Sequence, residues 1–188
     1  MGRLYGSRCY LAGPMDRVAD HGAGWRRELS PFLKRKGIVV LDPTDKKIKF
    51  GLENPEDKKH REYLKSIGDY DTLSKEMHEL RAVDLHMVDM CEFIIVNFDT
   101  EIQMCGTMEE IFWANRLKRP VLLMCPQGKN DIHDWMYGVL PYDQFFNSWE
   151  EIKKYIDKIN NAYDWEIENE KRWMFFDFKE LLPNADAA

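Results

Sequence analysis

The sequence predicts a doubly wound α/β fold: a five-stranded, mainly parallel sheet with helices on both faces, as in flavodoxin-like and Rossmann-like architectures. Two observations support this prediction. Several short runs are apolar at nearly every position, which is typical of strands that are covered on both faces. Segments with helical spacing of apolar residues alternate with these runs, and such alternation favours a parallel sheet over an antiparallel one.

Each predicted strand ends close to a turn residue. The first lies within residues 8–14 and ends in Gly-Pro, and the others cover residues 38–41, 93–98, 120–125 and, as a short fifth candidate, 143–146. Helical spacing follows the first strand up to Gly37. It returns in a helix that opens at about Gly106, and again after the capping box at residues 148–151.

The chain has 188 residues, enough for one domain with an appendage. We expect the α/β domain to cover residues 1–159. Residues 44–79 are charged and too long for a simple connection, so we interpret them as an insertion with one or two helices that covers one end of the fold. Residues 160–188 form an acidic, aromatic tail. We expect this tail to pack on the domain or on a partner subunit, because large apolar groups are rarely left in water.

Composition and charge restrict the class of partner. Lys plus Arg number 27 and Asp plus Glu number 33, which gives a net charge of −6 and argues against a nucleic-acid polymer as partner. No apolar run approaches the roughly 20 residues that span a bilayer, and no secretory signal is visible. The four cysteines are far apart in sequence, which favours buried, reduced thiols. We therefore expect a cytoplasmic protein with no membrane partner.

The motif content predicts neither a cofactor nor a metal. The five histidines show no metal-ligand spacing, which argues against a zinc site. The glycine-rich dinucleotide and P-loop motifs do not occur in the sequence. Open parallel sheets bind small molecules at the carboxyl ends of their strands, so we expect a small-molecule ligand there.

Three polar positions near the predicted strand ends could carry chemistry. The segment 106–110 opens a helix just after a strand, where backbone N–H groups and the helix dipole favour an anion or a sugar oxygen. Tyr10, near the end of the first strand, could hydrogen-bond a carboxylate in the cleft. Asp84 precedes the third strand, and helix geometry lets only one of Asp84 and Asp89 face the cleft. The structural alternatives are a helix-start acid, a core aromatic ring and a solvated acidic face.

Three motifs occur in order along the chain: Tyr10-Leu-Ala-Gly-Pro14 after the opening strand, Asp84-Leu85 before a strand, and Gly106-Thr-x-x-Glu110 in a helix that leads to Lys118-Arg-Pro-Val121. Together they resemble the nucleoside 2-deoxyribosyltransferase family, which includes deoxyribosyltransferases and nucleoside 5′-monophosphate N-glycosidases. The resemblance covers roughly residues 8–159. It implies a nucleoside or nucleotide substrate and a homo-oligomer, most simply a dimer, whose subunits complete each other's sites.

The resemblance also implies catalytic roles. The family's nucleophile corresponds to Glu110 rather than Glu109. Tyr10 would orient that carboxylate and keep it ionised, and Asp84 would face the nucleobase and act as an acid. Such a set cleaves an N-glycosidic bond, and the (deoxy)ribosyl group passes to water or to another base.

The expected substrate-binding residues surround this catalytic set. Arg17, Arg26 and Arg27 flank a glycine-containing loop at a helix N-terminus, where they could bind a phosphate or simply form a solvated basic face. Met104 stands where deoxyribosyltransferases carry an aspartate for the sugar 5′-hydroxyl, so a carboxylate that would repel a 5′-phosphate is absent. The predicted binding residues are Gly13, Arg17, Arg26, Met104, Gly106 and Thr107.

Two other interpretations stay open. One, within the same chemistry, is a phosphoribohydrolase with a Gly-Gly-x-Gly-Thr-x-x-Glu loop, although Cys105-Gly106-Thr107 lacks the preceding glycines. The other is a non-catalytic nucleotide-binding sensor on the same scaffold, although a sensor has no need of a nucleophile such as Glu110. The residues named above leave open which nucleobase and which sugar would be bound.

Overall fold

The computed structural model describes residues 2–15, 17–46, 55–162 and 173. Within these residues, five parallel strands form one sheet in the order β2-β1-β3-β4-β5. The strands are β1 Arg8–Ala12, β2 Val39–Leu41, β3 Phe93–Asn97, β4 Val121–Met124 and β5 Phe145–Phe146. The predicted doubly wound α/β fold is therefore confirmed, and even the short fifth strand is parallel to its neighbour.

Helices cover both faces of this sheet. They are α1 Ala23–Arg35, α2 Pro55–Ile67, α3 Tyr70–Met90, α4 Cys105–Arg116, α5 Asp134–Val139 and α6 Trp149–Asn161. Buried side chains of α1 and α6 pack on one face, and those of α3, α4 and α5 pack on the other. Successive strand side chains point to opposite faces. Leu11 accordingly belongs to the α1–α6 core, whereas Tyr10 points toward α3 and α4.

A glycine accounts for the end of α1, and a polar capping residue accounts for the start of α6. Gly37, just after α1, has a φ of 75°, which glycine adopts without strain. At the start of α6, the hydroxyl of Ser148 accepts a 3.3 Å hydrogen bond from the backbone N–H of Glu151. The Glu151 carboxylate accepts in return from the N–H of Asn147 at 2.8 Å, one residue earlier than a standard capping box.

The charged segment 44–79 contains α2 and the first half of α3. Helix α3 continues without a break through residue 79 to Met90, because Leu80, Leu85 and Val88 are buried. Helix α2 packs against α3. Residues 47–54 of the predicted insertion lie outside the described residues. Helix α3 is therefore part of the charged segment at its N-terminal end and part of the domain core at its C-terminal end.

One residue of the predicted tail beyond position 162 is described. Trp173 is buried, and its ring centroid lies 5.4 Å from that of Phe93 in β3. Its indole N–H donates to the hydroxyl of Tyr155 in α6 at 3.1 Å. Trp173 thus packs on the domain itself, on the α6 side. The rest of the prediction about residues 160–188 falls almost wholly outside the described residues.

None of the helices in the described part of the chain has both the length and the apolar composition of a membrane span. In the same residues, no group of three or more His, Cys, Asp or Glu side chains is arranged to hold a metal ion. The four cysteines are free thiols. Cys9, Cys91 and Cys125 are buried as expected, but Cys105 is exposed because it lies in the first turn of α4.

The strand order creates a crevice between the carboxyl ends of β1 and β3. The chain leaves β1 toward α1 on one face of the sheet and leaves β3 toward α4 on the other face. The two connections therefore diverge. The space between diverging connections is where doubly wound sheets bind their ligands.

Candidate active site

A cavity of about 300 Å³ occupies this crevice. Its walls come from the loop after β1, from α3, and from the start of α4 with the residues just before it. Seven of the nine predicted site residues line the cavity: Gly13, Arg17, Asp84, Met104, Gly106, Thr107 and Glu110. Of the other two, Tyr10 contacts Glu110, and Arg26 lies apart. The predicted residues thus come together from three distant parts of the chain.

A larger, open groove of about 1340 Å³ runs beside the edge strand β2, between α1 and α3. Arg27 and Lys46 are among the described residues in its walls, but Tyr10, Asp84 and Glu110 are not. A site for chemistry needs convergent polar groups rather than volume alone. The smaller cavity is therefore the candidate active site.

Tyr10 and Glu110 form a buried pair at this cavity. The Tyr10 hydroxyl donates a 2.6 Å hydrogen bond to Oε1 of Glu110. Tyr10 has no exposed surface, and Glu110 is 9% exposed. Burial, followed by the charges of Glu110 and Asp84, holds the pKa of the Tyr10 hydroxyl well above its usual value. The hydroxyl therefore keeps its proton and is available as a donor to the carboxylate.

The two adjacent glutamates of α4 have different surroundings. Successive helix positions are about 100° apart, so neighbouring side chains point in different directions. Both carboxylate oxygens of Glu109 accept from Nε of Arg81, at 3.0 and 2.9 Å, on the exposed side of the helix. Of the two glutamates, only Glu110 lies in the wall of the cavity.

Asp84 reaches the cavity from α3. Its Oδ1 lies 2.6 Å from Nζ of Lys46, and the Lys46 side chain is only 1% exposed. Burial raises the pKa of the Asp84 carboxyl, and the positive charges of Lys46 and Arg26 act in the opposite direction. A carboxyl group with a raised pKa beside a cavity is suited to hold and transfer a proton.

Asp89, five positions later in the same helix, has a different partner. Its Oδ1 accepts a 2.7 Å hydrogen bond from the indole N–H of Trp113 in α4. This bond connects α3 with α4, and neither of its residues lines the cavity. The helix geometry thus brings Asp84 but not Asp89 to the cavity, as the five-residue spacing predicts.

The start of α4 brings backbone donors to the cavity wall. Met104 is the N-cap residue, and no side chain caps this helix end with a hydrogen bond. The first N–H groups of a helix have no acceptor within it and carry part of the positive end of the helix dipole. Gly106 and Thr107 lie in the wall beside Met104. A Cβ at Gly106 would meet no atom within 4 Å, so the space next to this turn is open.

Arg26, which the sequence placed among the expected substrate-binding residues, does not line the cavity. Its side chain has no exposed surface. The guanidinium donates to the backbone carbonyls of Leu11, Gly13 and Gly22 at 3.2, 3.1 and 2.8 Å. The physical reason is the orientation of α1, which turns this position toward the sheet and away from solvent. Arg26 therefore supports the loop after β1.

Glycine is required where this loop meets Arg26. Gly22 has a φ of 70°, and a Cβ there would lie 2.4 Å from both Nη1 of Arg26 and the carbonyl oxygen of Pro14. The Asp20 carboxylate accepts from the N–H groups of Gly22 and Gly24 at 3.0 and 2.7 Å. Hydrogen bonds from Arg26 and to Asp20 thus both stabilise the loop between β1 and α1.

Arg17 and Arg27 separate in the structure. Arg17 is exposed and lines the cavity, whereas Arg27 is exposed and lines the larger groove. Of the three arginines that the sequence placed around this loop, Arg17 alone has a position from which it can reach a ligand in the cavity.

Lys46, which contacts the cavity residue Asp84, is a residue that sequence reasoning missed. It is one of three lysines at positions 46, 47 and 49 in a charged segment, and no local pattern distinguishes it from the other two. Only its contact with a carboxylate 38 positions away along the chain reveals it.

The sequence matches no protein-family model and no curated protein sequence. Solved structures do match it. A 2-deoxyribosyltransferase from the psychrotolerant bacterium Bacillus psychrosaccharolyticus aligns with a TM-score of 0.54 at 17% identity, covering 84% of this chain and 99% of that one. A Leishmania mexicana 2-deoxyribosyltransferase aligns with a TM-score of 0.50 at 20% identity, covering 80% and 96%. A Clostridium botulinum CMP N-glycosidase aligns with a TM-score of 0.45 at 16% identity, covering 80% and 98%.

The two higher-scoring structures are aligned over nearly their whole length and over at least four-fifths of this chain. Sequence identity at this level shows shared architecture. The fold that the sequence resemblance implies is therefore confirmed: this chain has the fold of the solved 2-deoxyribosyltransferases.

Proposed function

We propose that this protein cleaves the N-glycosidic bond of a nucleoside 5′-monophosphate or nucleoside, with Glu110 as the nucleophile. The observation that carries the proposal is the 2.6 Å hydrogen bond from Tyr10 to Glu110 at the cavity between β1 and β3. The Tyr10 hydroxyl fixes the orientation of this buried carboxylate at the cavity wall, as a nucleophile requires. The fold shared with solved 2-deoxyribosyltransferases supports the same reaction class.

The reaction follows from the positions of the two carboxyl groups. A carboxylate oxygen of Glu110 attacks C1′ through an oxocarbenium-like state, and the bond from C1′ to the base nitrogen breaks. The bond's electron pair stays on the base, which takes a proton from Asp84. Water then attacks C1′, releases Glu110 and returns a proton to Asp84. If a second base attacks instead, the result is transfer of the sugar.

We further propose that the 5′-phosphate is the preferred end group. Met104 places no negative charge in the wall, so nothing at that position repels a phosphate. The uncapped N–H groups at the start of α4 and the exposed Arg17 are available as donors. Each charge-assisted hydrogen bond is worth about 1.5–3 kcal/mol, so two would favour the monophosphate by about a hundredfold or more.

The first experiment is a base-release assay by chromatography. The purified protein is incubated with a panel of ribo- and deoxyribonucleosides and their 5′-monophosphates, with and without a second base. We expect free base from at least one compound, and none from the Glu110→Gln variant, which excludes a contaminating enzyme. If the protein binds nucleotides in calorimetry but releases no base from any of them, the non-catalytic sensor interpretation is correct instead.

A second experiment tests the phosphate preference. We expect kcat/KM for a 5′-monophosphate to exceed that for its nucleoside by about a hundredfold. Arg17→Met should reduce this ratio, whereas Arg27→Met removes the same charge on the groove side and serves as the control. Equal values for the two substrates, or a preference for the nucleoside, would indicate a site for a free 5′-hydroxyl.

A further inference from the structure

We propose that Lys46 is a positioning residue for Asp84: its buried ammonium group orients the carboxyl at the cavity wall and controls when that carboxyl carries a proton. This inference rests on the proposed function, because it assigns Asp84 the proton given to the leaving base. It adds to that function a residue from the charged segment that neither the sequence motifs nor the shared fold identifies.

The contact between the two residues carries the proposal. Nζ of Lys46 lies 2.6 Å from Oδ1 of Asp84, with the lysine side chain 1% exposed and the aspartate side chain 14% exposed. A lysine is rarely buried to this extent unless it is paired. Asp84 lines the cavity, whereas Lys46 is not among the residues that line it. Lys46 therefore acts on the cavity through Asp84.

The loop that carries Lys46 is fixed at its base. Asp42 follows β2, and its Oδ1 accepts from both the N–H and the hydroxyl of Thr44, at 2.8 and 2.7 Å. The same oxygen lies 3.7 Å from Nε of Arg26, which is wholly buried. A network of polar contacts thus runs from the support of the β1 loop, through Asp42, to the segment that delivers Lys46.

Charged and titratable groups surround Asp84 on several elements. Lys46, from the loop after β2, and Arg26, from α1, favour its ionised form, whereas burial favours its neutral form. Tyr10 of β1 and Glu110 of α4 are also nearby. The negative charges of Glu110 and Asp84 both raise the pKa of the Tyr10 hydroxyl. Of the two cations, Lys46 makes the direct contact. Burial already outweighs the two cations, so removal of the Lys46 charge takes away an opposing effect and Asp84 should retain its proton to a still higher pH.

The test compares two neutral variants with a charged one. Lys46→Met removes the ammonium, Lys46→Gln removes its charge but keeps a hydrogen-bond donor, and Lys46→Arg keeps the charge. Lys36→Met is the matched control, because Lys36 follows the last residue of α1 and pairs with Asp157 of α6 rather than with a cavity residue. Circular dichroism and thermal unfolding first establish that each variant is folded.

Two readouts are measured on each folded variant. The first is the NMR titration of the Asp84 side-chain carboxyl carbon, whose signal is assigned with the Asp84→Asn variant. This measurement requires no enzyme activity. The second is kcat/KM for base release as a function of pH. Because Asp84 must be protonated to act, the activity falls on the alkaline side as this carboxyl loses its proton. We expect both the NMR midpoint and this alkaline limb to move upward by about one pH unit or more in the neutral variants.

Lys46→Arg and Lys36→Met should leave the NMR midpoint and the pH of the alkaline limb close to those of the unaltered protein. An unchanged Asp84 titration in folded Lys46→Met or Lys46→Gln would overturn the proposal. So would a rise in KM with no shift of the alkaline limb, because that result would make Lys46 a direct substrate ligand. If the unaltered protein releases no base, the proposed function fails, but the NMR titration still decides whether Lys46 controls Asp84.

Discussion

The hydroxyl of Tyr10 donates a 2.6 Å hydrogen bond to Oε1 of Glu110, although 100 positions of sequence separate the two residues. The bond connects the interior strand β1 to α4 at the wall of the candidate cavity. It therefore links the sheet topology to the chemistry, since β1 and the connection after β3 meet only where the strand order reverses.

Replacement of Glu110 by alanine should abolish base release and leave the protein folded. Glu110 lies in the second turn of α4 and its replacement removes the bond from the Tyr10 hydroxyl, so the free energy of unfolding should fall by about 1.5–3 kcal/mol while the protein stays folded. Glu109→Ala is the matched control, because Glu109 pairs with Arg81 on the exposed side of α4. Activity is measured by chromatography and folding by thermal unfolding. Equal activity losses in both variants would contradict the assignment of the nucleophile.

Tyr10→Phe should lower kcat by roughly 10–100-fold with little change in KM. The variant removes one hydrogen bond to a charged group, worth about 1.5–3 kcal/mol, without removing the ring from the core. Tyr155→Phe is the control: it removes the hydroxyl of a half-buried tyrosine, which accepts from the Trp173 indole away from the cavity, and it should leave kcat unchanged. A wild-type kcat in Tyr10→Phe would show that the hydroxyl does not act on the reacting carboxylate.

Arg26→Met should destabilise the protein rather than alter its substrate affinity. The substitution removes the guanidinium donor from three buried carbonyl oxygens and the positive charge from beside Asp42, which costs about 3–5 kcal/mol. For a chain of this size, Tm should fall by roughly 6–20 °C. Arg17→Met, on the exposed cavity rim, should leave Tm unchanged and raise KM for a 5′-monophosphate. The opposite pattern, with Arg17 needed for stability and Arg26 for binding, would contradict both assignments.

The protein should be a homo-oligomer in solution, most simply a C2 dimer. Trp135 and Tyr142 are 79% and 76% exposed, and such aromatic surface is enriched where chains associate. Light scattering coupled to size-exclusion chromatography should give twice the 22.4 kDa of one chain at micromolar concentration. A double variant, Trp135→Ser with Tyr142→Ser, tests whether this surface is the contact. A monomeric mass for the unaltered protein would refute the prediction.

The strands of this fold were predictable because their signals are local. The apolar runs of β1, β3 and β4 are buried in the sheet, and a turn or a polar residue ends each of them close to the observed boundary. The spacing of 84 and 89 on one helix, and of 109 and 110 on another, likewise follows from 100° per residue. The family resemblance indicated that Asp84 and Glu110, rather than Asp89 and Glu109, face the ligand. In the structure Asp84 and Glu110 line the same cavity.

The sequence could not decide what three basic residues would do. Arg17, Arg26 and Lys46 all occur among polar neighbours, and their local patterns fit a solvated face equally well. Their different positions depend on how α1 and the loop after β2 pack on the sheet. That packing buries Arg26 against backbone carbonyls and Lys46 against Asp84, and leaves Arg17 at the cavity.

By itself, then, the sequence determined the strand content, the doubly wound arrangement and the residues able to meet at its carboxyl edge, because periodicity and turn chemistry are properties of short segments. Only the tertiary structure decided which charges are buried and which face the cavity. A buried charge is stable only with partners. Those of Arg26 are backbone carbonyls up to 15 positions away, and that of Lys46 is the Asp84 carboxylate on α3.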